Sequence, residues 1–255
     1  IGVIFMKIQL VRHATIKMKV NNQVFLVDPM LSAKGVMAPV GNAANNYQNP
    51  LVDLPLPIEE VISNIDAVLL THSHRDHFDE KALEVIPHDL PIFCQPEDVE
   101  KLKSLAFTKV LKVEKEVGWK GIQLIRTGGQ HGTGELGKQM GPVSGFILKA
   151  EKEPTIYIAG DTIWCQDVER AIEEHSPQLI ILNGGEAQFL SGDPITMGTW
   201  DIQKVSEMSP TSTIVVTHME SWNHCLLSRN DLQNYIKKNQ LSNVIVPNDG
   251  EVFGC

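Results

Sequence analysis

Three histidines and an aspartate crowd into six consecutive residues of this chain, at His72, His74, Asp76 and His77. The apolar run 66–70 before them is typical of a buried strand, and 78–86 after them predicts a helix that begins at an Asp cap. The cluster is therefore expected on a loop at the carboxyl end of a strand, where open α/β sheets hold their sites. Imidazole and carboxylate are ligands of borderline divalent metals. Because a tight loop cannot direct four side chains at one ion, the cluster indicates two.

The composition is that of an ordinary globular chain with an acidic surface. Its 255 residues are 42% hydrophobic and 21% charged, with a formal net charge of -9. This charge argues against a general affinity for nucleic acid or anionic membranes, which requires a basic face, although a local basic pocket for a small anion stays compatible with it. We expect a small-molecule substrate as the partner, with a homo-oligomer left open.

The cysteines and the start of the chain predict a cytoplasmic location. The four cysteines lie far apart without a C-x-x-C pair, which is typical of a reduced protein rather than a disulfide scaffold. The apolar start, 1–7, is too short for the core of a signal peptide, and Met6 is a candidate natural start. No apolar run approaches the length of a membrane span.

The order of predicted elements repeats once along the chain. Strands dominate up to residue 27, and strand–helix alternation follows from residue 58. Strands dominate again over 122–159, after which alternation resumes. Two such halves fit an α/β chain folded as a four-layer αββα sandwich, with two sheets face to face and helices outside. No linker separates the halves, so we expect a single domain over residues 1–255.

The segment 32–57, called the flap below, is rich in Gly, Pro, Asn and Ala and shows no periodicity. A loop of this length inside a compact domain is usually either functional or disordered. We expect the flap either to border the active site or to form a plain surface excursion.

Three further residues of metal-ligand type follow predicted strands. His131 lies in a glycine-dense loop, Asp161 ends a buried strand, and His218 ends another. A carboxylate at Asp161 can bridge two ions. These residues would supplement the first cluster, because a catalytic zinc takes about three protein ligands plus water.

In this order, the residues resemble the signature of the metallo-β-lactamase superfamily. The signature appears here as Asp28, His72-x-His74-x-Asp76-His77, His131, Asp161 and His218. The resemblance covers nearly the whole chain and implies an αββα sandwich with its site along one edge. It implies that one ion is bound by His72, His74 and His131, and that the other is bound by Asp76, His77 and His218. It also implies that Asp161 lies between the ions and that Asp28 supports the site without binding metal.

Within the superfamily, the chain most resembles the compact bacterial branch of ascorbate-6-phosphate lactonase and related metal-dependent hydrolases. This resemblance rests on Arg12–Thr15, Asp28–Pro29, Pro194–Gly198 and the strand end at His218. The branch often carries a His near the metals, which makes His13 a candidate for contact with the site or the substrate.

The expected chemistry is hydrolysis by a hydroxide that bridges two divalent ions. Zinc suits the His-rich ligand set, while manganese or iron would use the same residues. The hydroxide would attack the carbonyl of a lactone or ester in a small cytoplasmic metabolite. Asp76 is predicted to orient the nucleophile and shuttle its proton, or to act as a ligand alone.

Two segments are candidates for substrate contact. His224 and Asn223 either contact the substrate or donate a proton to it, or else belong to a polar loop capped by a buried Trp. Asn183 ends a buried strand, so we expect it on the same rim, with Gly184 and Gly185 allowing close approach of the backbone to a substrate.

Two alternative functions stay open. A phosphodiesterase would use the same centre on phosphorus. A phosphorylated substrate would also require cations at the pocket, for which the candidates are Arg12, Lys34, Arg75 and Arg126. A metal-dependent sensor without turnover is the other alternative, and the complete ligand set argues against it.

Overall fold

The computed structural model describes residues 7–254, which form two sheets with helices on their outer faces. The first half contributes β1 (Lys7–Arg12), β2 (Thr15–Val20), β3 (Gln23–Val27), β4 (Ala67–Leu70), β5 (Ile92–Cys94) and β6 (Val110–Lys112). The second half contributes β7 (Glu116–Trp119), β8 (Ile122–Thr127), β9 (Gly145–Ala150), β10 (Ile156–Ile158), β11 (Leu179–Asn183), β12 (Thr213–Thr217) and β13 (Val244–Ile245). The last strand, β14 (Val252–Gly254), returns to the first sheet.

Helices connect the strands of each half. They are α1 (Ile58–Ile62), α2 (Glu80–Val85), α3 (Val99–Ser104), α4 (Gly134–Met140), α5 (Gln166–His175), α6 (Thr199–Met208) and α7 (Arg229–Asn239). A 3₁₀ turn at Pro96–Asp98 leads into α3. Within residues 7–254, none of the helices has both the length and the apolar character needed to cross a membrane.

Each sheet joins an antiparallel part to a parallel part. The first sheet has the order β14-β1-β2-β3-β4-β5-β6 and is parallel from β3 to β6. The second has the order β13-β12-β11-β10-β9-β8-β7 and is parallel from β13 to β10. Because alternate antiparallel strands share a direction, β1, β3 and β4 end at one edge of the first sheet. For the same reason β8, β10, β11 and β12 end at one edge of the second.

The apolar residues form three layers of core that explain this stacking. One cluster fills the space between the sheets, with Leu10, Phe25 and Leu69 from the first sheet and Phe146 and Ile181 from the second. A second cluster packs α5, α6 and α7 on the second sheet, and a third packs α1, α2 and α3 on the first. This arrangement confirms the predicted αββα sandwich.

The sequence pattern does not predict α1, α4, β7 or β14. The glycine-dense loop expected through Gly134 instead gives way to α4, which buries none of its side chains and so shows no apolar periodicity. Strands β7 and β14 lie at sheet edges and contain no fully buried residue. Strands β7 and β14 and helix α4 therefore lack the hydrophobic pattern on which sequence prediction depends, while α1 buries Val61 but is only five residues long, too short to show a helical period.

A buried arginine attaches both ends of the flap to the body. Arg12 donates from one terminal nitrogen to the carbonyl of Val52 at 3.1 Å. The other terminal nitrogen donates to the carbonyls of Met30 at 3.0 Å and Ser32 at 2.8 Å. The guanidinium is fully buried and engaged with backbone, so Arg12 is not the substrate cation that the sequence suggested.

Asp79 begins α2, as predicted, and also holds the base of the flap. Its Oδ1 accepts a hydrogen bond from the backbone N of Ala82 at 2.9 Å, and its Oδ2 accepts one from the backbone N of Ser32 at 2.7 Å. We expect Asp79→Ala to lower the free energy of unfolding by about 2 kcal/mol, because a helix cap and a buried hydrogen bond each contribute about 1 kcal/mol. Urea unfolding measures the change, with the exposed neighbour Glu80→Ala as control. Equal losses in the two variants would contradict this role.

Candidate metal centre

Strand ends from both sheets meet at one edge of the sandwich. In the first sheet, β1 leads into His13 and β4 leads into the cluster 72–77. In the second, the segments after β8, β10 and β12 carry His131, Asp161 and His218. The backbone N of His218 donates to the carbonyl of His13 at 2.9 Å, which joins the two sheets at this edge.

The backbone turns sharply after β1, β3 and β12. His13, Asp28 and His218 have φ values of 61°, 43° and 63°. Non-glycine residues seldom occupy this left-handed region, and they persist there where surrounding contacts hold them, often at functional sites. Here the turns bring the rings of His13 and His218 to a centroid separation of 3.6 Å.

Three imidazoles form the first group of possible metal ligands, namely His72, His74 and His131. Their ligand atoms lie within 4.8 Å of one another. His72 Nε2 is 3.0 Å from His74 Nδ1. His131 donates from Nδ1 to the carbonyl of Ile195 at 2.7 Å, which leaves its Nε2 as the atom available to a metal.

Four buried side chains form the second group, namely His13, Asp76, His77 and His218. Asp76 Oδ2 lies 3.4 Å from His218 Nε2 and 3.5 Å from His13 Nε2. The same oxygen lies 3.9 Å from His77 Nε2. The sequence left the role of His13 open, and the structure places its ring inside this group.

The carboxylate of Asp161 lies between the two groups. Its Oδ2 is 3.9 Å from His72 Nε2 and 3.6 Å from His131 Nε2, both in the first group. The same oxygen is 3.2 Å from His77 Nε2, and Oδ1 is 3.4 Å from His218 Nε2, both in the second. One carboxylate therefore faces two separate sets of imidazole nitrogens.

Asp28 lies behind the second group and holds the cluster loop. It accepts hydrogen bonds from the backbone N of Thr71 at 2.8 Å and from Thr71 Oγ1 at 2.7 Å. It also accepts one from His77 Nδ1 at 2.9 Å. A partner of this kind fixes the tautomer and the orientation of a metal-binding ring, and leaves His77 Nε2 facing the centre.

Asn183, at the end of β11, and Cys225, in the loop after β12, take similar supporting positions. Asn183 Nδ2 donates to Asp161 Oδ1 at 2.7 Å, and Asn183 Oδ1 accepts from Thr217 Oγ1 at 3.0 Å. Cys225 Sγ lies 3.6 Å from His218 Nδ1. Both contacts orient a residue that faces the centre.

The centre contains buried ring nitrogens without a hydrogen-bond partner in the described chain. They are both ring nitrogens of His13, Nε2 of His77 and Nε2 of His218. Buried polar atoms are nearly always paired, and an unpaired one costs free energy. Imidazole nitrogens and carboxylate oxygens gathered in this way fit a divalent metal, which would bind Nε2 of His77 and Nε2 of His218 directly.

The buried charges compensate one another in the metal-free centre. Burial would lower the pKa of His77, but the surrounding carboxylates, Asp161 foremost, outweigh it and raise that pKa to about 10. Burial would raise the pKa of Asp161, but the imidazoles of His218 and His77 lower it well below its usual value. Near neutral pH, the centre thus holds protons on imidazoles that lie beside ionised carboxylates.

A cavity of about 280 Å³ opens onto both groups. Its polar side is formed by His74, Asp76, His131, Asp161 and His224. Its other walls are formed by Val40, Gly41, Met140, Phe189, Ile195 and Trp222. Among the residues that line it, Arg75 is the sole cation, with its guanidinium carbon 5.0 Å from the Trp222 ring centroid. An apolar cavity with a few converging polar groups is typical of a small-molecule site.

The flap borders this cavity through Val40 and Gly41. Of the two arrangements that the sequence allowed, the structure therefore shows the one in which the flap lies against the site. A plain surface excursion would not contribute to the cavity wall.

His224 lines the cavity, where the sequence suggested a catalytic group. Its Nδ1 has no hydrogen-bond partner in the described chain. Burial lowers its pKa to about 4, so the ring is uncharged at neutral pH. It can offer an N–H group to a substrate but does not carry the extra proton of an imidazolium.

Asn223 does not line the cavity, which corrects its assignment as a substrate contact or proton donor. Its Oδ1 accepts from the backbone N of Val40 and from Asn49 Nδ2, both at 2.9 Å. Its Nδ2 donates to the carbonyls of Val40 at 3.1 Å and Asn45 at 2.9 Å. The amide is fully engaged with the flap and has no capacity left for a substrate.

Gly184 and Gly185 serve packing instead of substrate approach. A Cβ on Gly184 would lie 2.3 Å from a methyl carbon of Val216, and one on Gly185 would lie 2.1 Å from the carbonyl oxygen of His218. Neither glycine lines the cavity. They let the end of β11 approach β12 closely.

Several residues that support the metal-ligand groups or line the cavity could not be identified from the sequence pattern. Thr71 directly precedes the cluster, and only its position after a strand could have marked it. Ile195 acts through its backbone carbonyl, which any residue type supplies. Met140 and Phe189 come from segments without apolar periodicity, so nothing in the pattern places them on a cavity wall.

Fold and site together define a metallo-β-lactamase fold protein with a His/Asp cluster able to bind metal. The chain belongs to the beta-lactamase superfamily, because the family model described as Beta-lactamase superfamily domain matches residues 23–219. It is similar to UPF0173 protein YddR of Bacillus subtilis (strain 168). The two are 41% identical over 252 residues, which cover 97% of this chain and 99% of that relative.

Two solved structures share the fold over 98% of this chain. A possible metal-dependent hydrolase from Veillonella parvula DSM 2008 is 39% identical with a TM-score of 0.94, covering 98% of each chain. An isothiocyanate hydrolase from Delia radicum gut bacteria is 35% identical with a TM-score of 0.93, covering 98% of this chain and 100% of that one. The predicted superfamily is confirmed. The narrower resemblance to ascorbate-6-phosphate lactonase stays a prediction.

The raised pKa of His77 predicts a pH-dependent stability of the metal-free protein. Folding raises this pKa from 6.5 to about 10, so the stabilisation is fully present below pH 6.5 and is lost as the pH rises through about 10. The difference in unfolding free energy between the wild type and His77→Gln should therefore shrink from pH 6.5 to pH 10. Urea unfolding in the presence of a chelator measures it, with the exposed His88→Gln as control. A difference that stays constant would contradict the account.

Proposed function

We propose that this chain is a dinuclear, zinc-dependent hydrolase that adds water to an electrophilic carbon of a small, uncharged substrate. The observation that carries the proposal is the position of Asp161, whose carboxylate faces both groups beneath one cavity. One ion would be held by His72, His74 and His131. The other would be held by Asp76, His77 and His218, with Asp161 shared between the ions. Manganese or iron would use the same residues.

His13 and Asp28 would support this centre. The ring of His13 stacks on that of His218, and His13 Nε2 lies near Asp76. His13 can therefore keep the proposed ligands His218 and Asp76 in place. Asp28 orients His77 through Nδ1. Asn183 orients Asp161 in the same manner from the second sheet.

Bound divalent ions supply a water that ionises near neutral pH and a positive charge beside the developing anion. Asp76 lines the cavity, where its carboxylate can hold the attacking water and accept a proton from it. Ligation alone is the alternative role for Asp76. His224 can donate an N–H hydrogen bond to the substrate atom that gains negative charge.

The cavity walls favour an uncharged substrate with an apolar group. Five of the lining residues are apolar or aromatic, namely Val40, Met140, Phe189, Ile195 and Trp222. Among the cations suggested by the sequence, only Arg75 lines the cavity. Arg12 is engaged with the flap, and Arg126 donates from Nε to the carbonyl of Glu114 at 3.0 Å. Lys34 is exposed and does not line the cavity.

An isothiocyanate is the substrate class that we place first. A relative that is 35% identical over nearly the whole chain is an isothiocyanate hydrolase. Such a substrate, R–N=C=S, is uncharged and carries its electrophilic carbon beside an apolar R group. Addition of water forms a carbon–oxygen bond and places one proton on nitrogen. The carbon–nitrogen bond of the resulting thiocarbamic acid then breaks, its remaining acidic proton passes to nitrogen, and an amine and carbonyl sulfide are released.

A lactone or ester, the substrate class suggested by the sequence, is the second candidate. Its carbonyl carbon is attacked by water in the same way, and the leaving alkoxide takes up the proton. The small, mostly apolar cavity is compatible with a short lactone. A phosphodiester is less well supported, because Arg75 is the sole Lys or Arg that the cavity lining would add to the charge of the bound ions. A cytoplasmic location stays a prediction.

Metal content tests the shared ligand directly. We expect close to two divalent ions per wild-type chain after reconstitution with zinc. Asp161→Ala should bind both ions more weakly and lose hydrolysis, because its carboxylate faces both groups. Elemental analysis after dialysis measures the content, with the exposed Asp89→Ala as the matched control. An Asp161→Ala protein with wild-type content and activity would contradict the shared assignment, and a wild type that takes up no metal would overturn the proposal.

A substrate panel tests the chemistry. We expect the zinc-loaded enzyme to hydrolyse methyl, allyl or benzyl isothiocyanate, with release of the amine, faster than short lactones and far faster than a phosphodiester. Amine release, lactone opening and phenol release measure the three reactions, and the Asp161→Ala protein serves as the blank. Preference for lactones would move the function to the second candidate. Preference for the phosphodiester would contradict attack at carbon.

A further inference from the structure

Asn223 connects the flap to the loop that carries His224, the candidate hydrogen-bond donor to the substrate. It stands between Trp222 and His224, both of which line the cavity. Besides the four bonds of its side chain, its backbone N donates to Asn49 Oδ1 at 2.9 Å, and its carbonyl accepts from Asn45 Nδ2 at 3.0 Å. Six hydrogen bonds thus connect this one buried residue to the flap.

The flap is held at further points along its length. Arg12 and Asp79 bind its base, as described for the fold. Its middle reaches the opposite wall, where the carbonyl of Asn42 accepts from the backbone N of Leu190 at 2.7 Å. That contact lies beside Phe189, another cavity residue. The flap is therefore attached at its base, at Asn223 and at the opposite wall.

These attachments fix the position of Val40. The residue bonds to the Asn223 amide through both its N and its carbonyl, while it forms part of the cavity wall. A wall residue held through both its N and its carbonyl cannot retreat without breaking these part-buried hydrogen bonds. A polar group that loses its partner in this way carries a free-energy cost.

We propose that the flap is a fixed wall that selects substrates by the size of the group facing Val40, and that Asn223 is the positioning residue that holds it. The selection part rests on the proposed function, because it concerns the R group of the substrate. The positioning part concerns the flap alone. The two parts are tested by different measurements.

Substitution of Val40 tests selection in the zinc-loaded enzyme. The measured quantity is the ratio of kcat/KM for benzyl isothiocyanate to that for methyl isothiocyanate. Val40→Ala should raise this ratio and Val40→Phe should lower it, each by about 10-fold, as expected for a few methylene-sized groups in a specificity pocket. The exposed flap residue Val36 supplies the control, and Val36→Ala should leave the ratio unchanged. Unchanged ratios in both Val40 variants would overturn the selection.

Substitution of Asn223 tests positioning. Hydrogen exchange of the Val40 amide should become at least about 10-fold faster in Asn223→Ala, since its acceptor is lost. In the same variant, KM for methyl isothiocyanate should rise, while kcat and metal content should stay near the wild-type values. The ratio of kcat/KM for benzyl isothiocyanate to that for methyl isothiocyanate should move towards one. Asn46→Ala, an exposed asparagine of the flap without a side-chain hydrogen bond in the described chain, is the matched control.

The outcomes separate the two proposals. A wild type that hydrolyses none of the panel would show that the proposed function fails, while the exchange rate of Val40 would still decide whether Asn223 holds the flap. Unchanged exchange in Asn223→Ala would overturn the positioning. A fall in both turnover and metal content in Asn223→Ala would also overturn the positioning role, because the residue would then act on the metal centre and not on the cavity wall. If Asn223→Ala does not fold, Asn223→Asp, which keeps the acceptor for Val40 N but loses both donor bonds, replaces it and should give intermediate exchange.

Discussion

The buried carboxylate of Asp161 is the interaction on which the site depends. It faces imidazoles of both groups at distances between 3.2 and 3.9 Å. A carboxylate buried without compensation would be costly, and here the surrounding rings lower its pKa well below the usual value. The two sheets must therefore bring their strand ends together for this carboxylate to be tolerated. The fold and the centre stabilise each other through this one group.

The topology explains why the ligands converge. Strands from both sheets end at the same edge of the sandwich, and a His or Asp follows β1, β3, β4, β8, β10 and β12 there. The left-handed turns at His13 and His218 then direct two rings against each other, and a backbone hydrogen bond between these residues joins the sheets. The apolar core between the sheets supplies the rigidity that keeps ligand atoms within metal-binding distance.

The sequence predicted those parts of the molecule that repeat a simple rule. The cluster 72–77, Asp161 and His218 each follow an apolar strand, so their place could be deduced from the pattern, and the αββα layers follow from the order of elements. Asn223 could not be assigned in this way, because its contacts are with flap residues more than a hundred positions away. Nor could the wall at Met140, since α4 buries no side chain and leaves no periodic signal.

Substrate choice depends on the less regular parts of the chain. The flap, the segment around Phe189 and the end of α4 form apolar walls of the cavity, and none of these segments supplies a residue to the groups of possible metal ligands. The central claim concerns the centre itself. Anomalous diffraction from zinc-loaded crystals tests it most directly. The account predicts two peaks on either side of Asp161, one bounded by His72, His74 and His131 and the other by Asp76, His77 and His218. A single peak, or zinc bound away from Asp161, would contradict it.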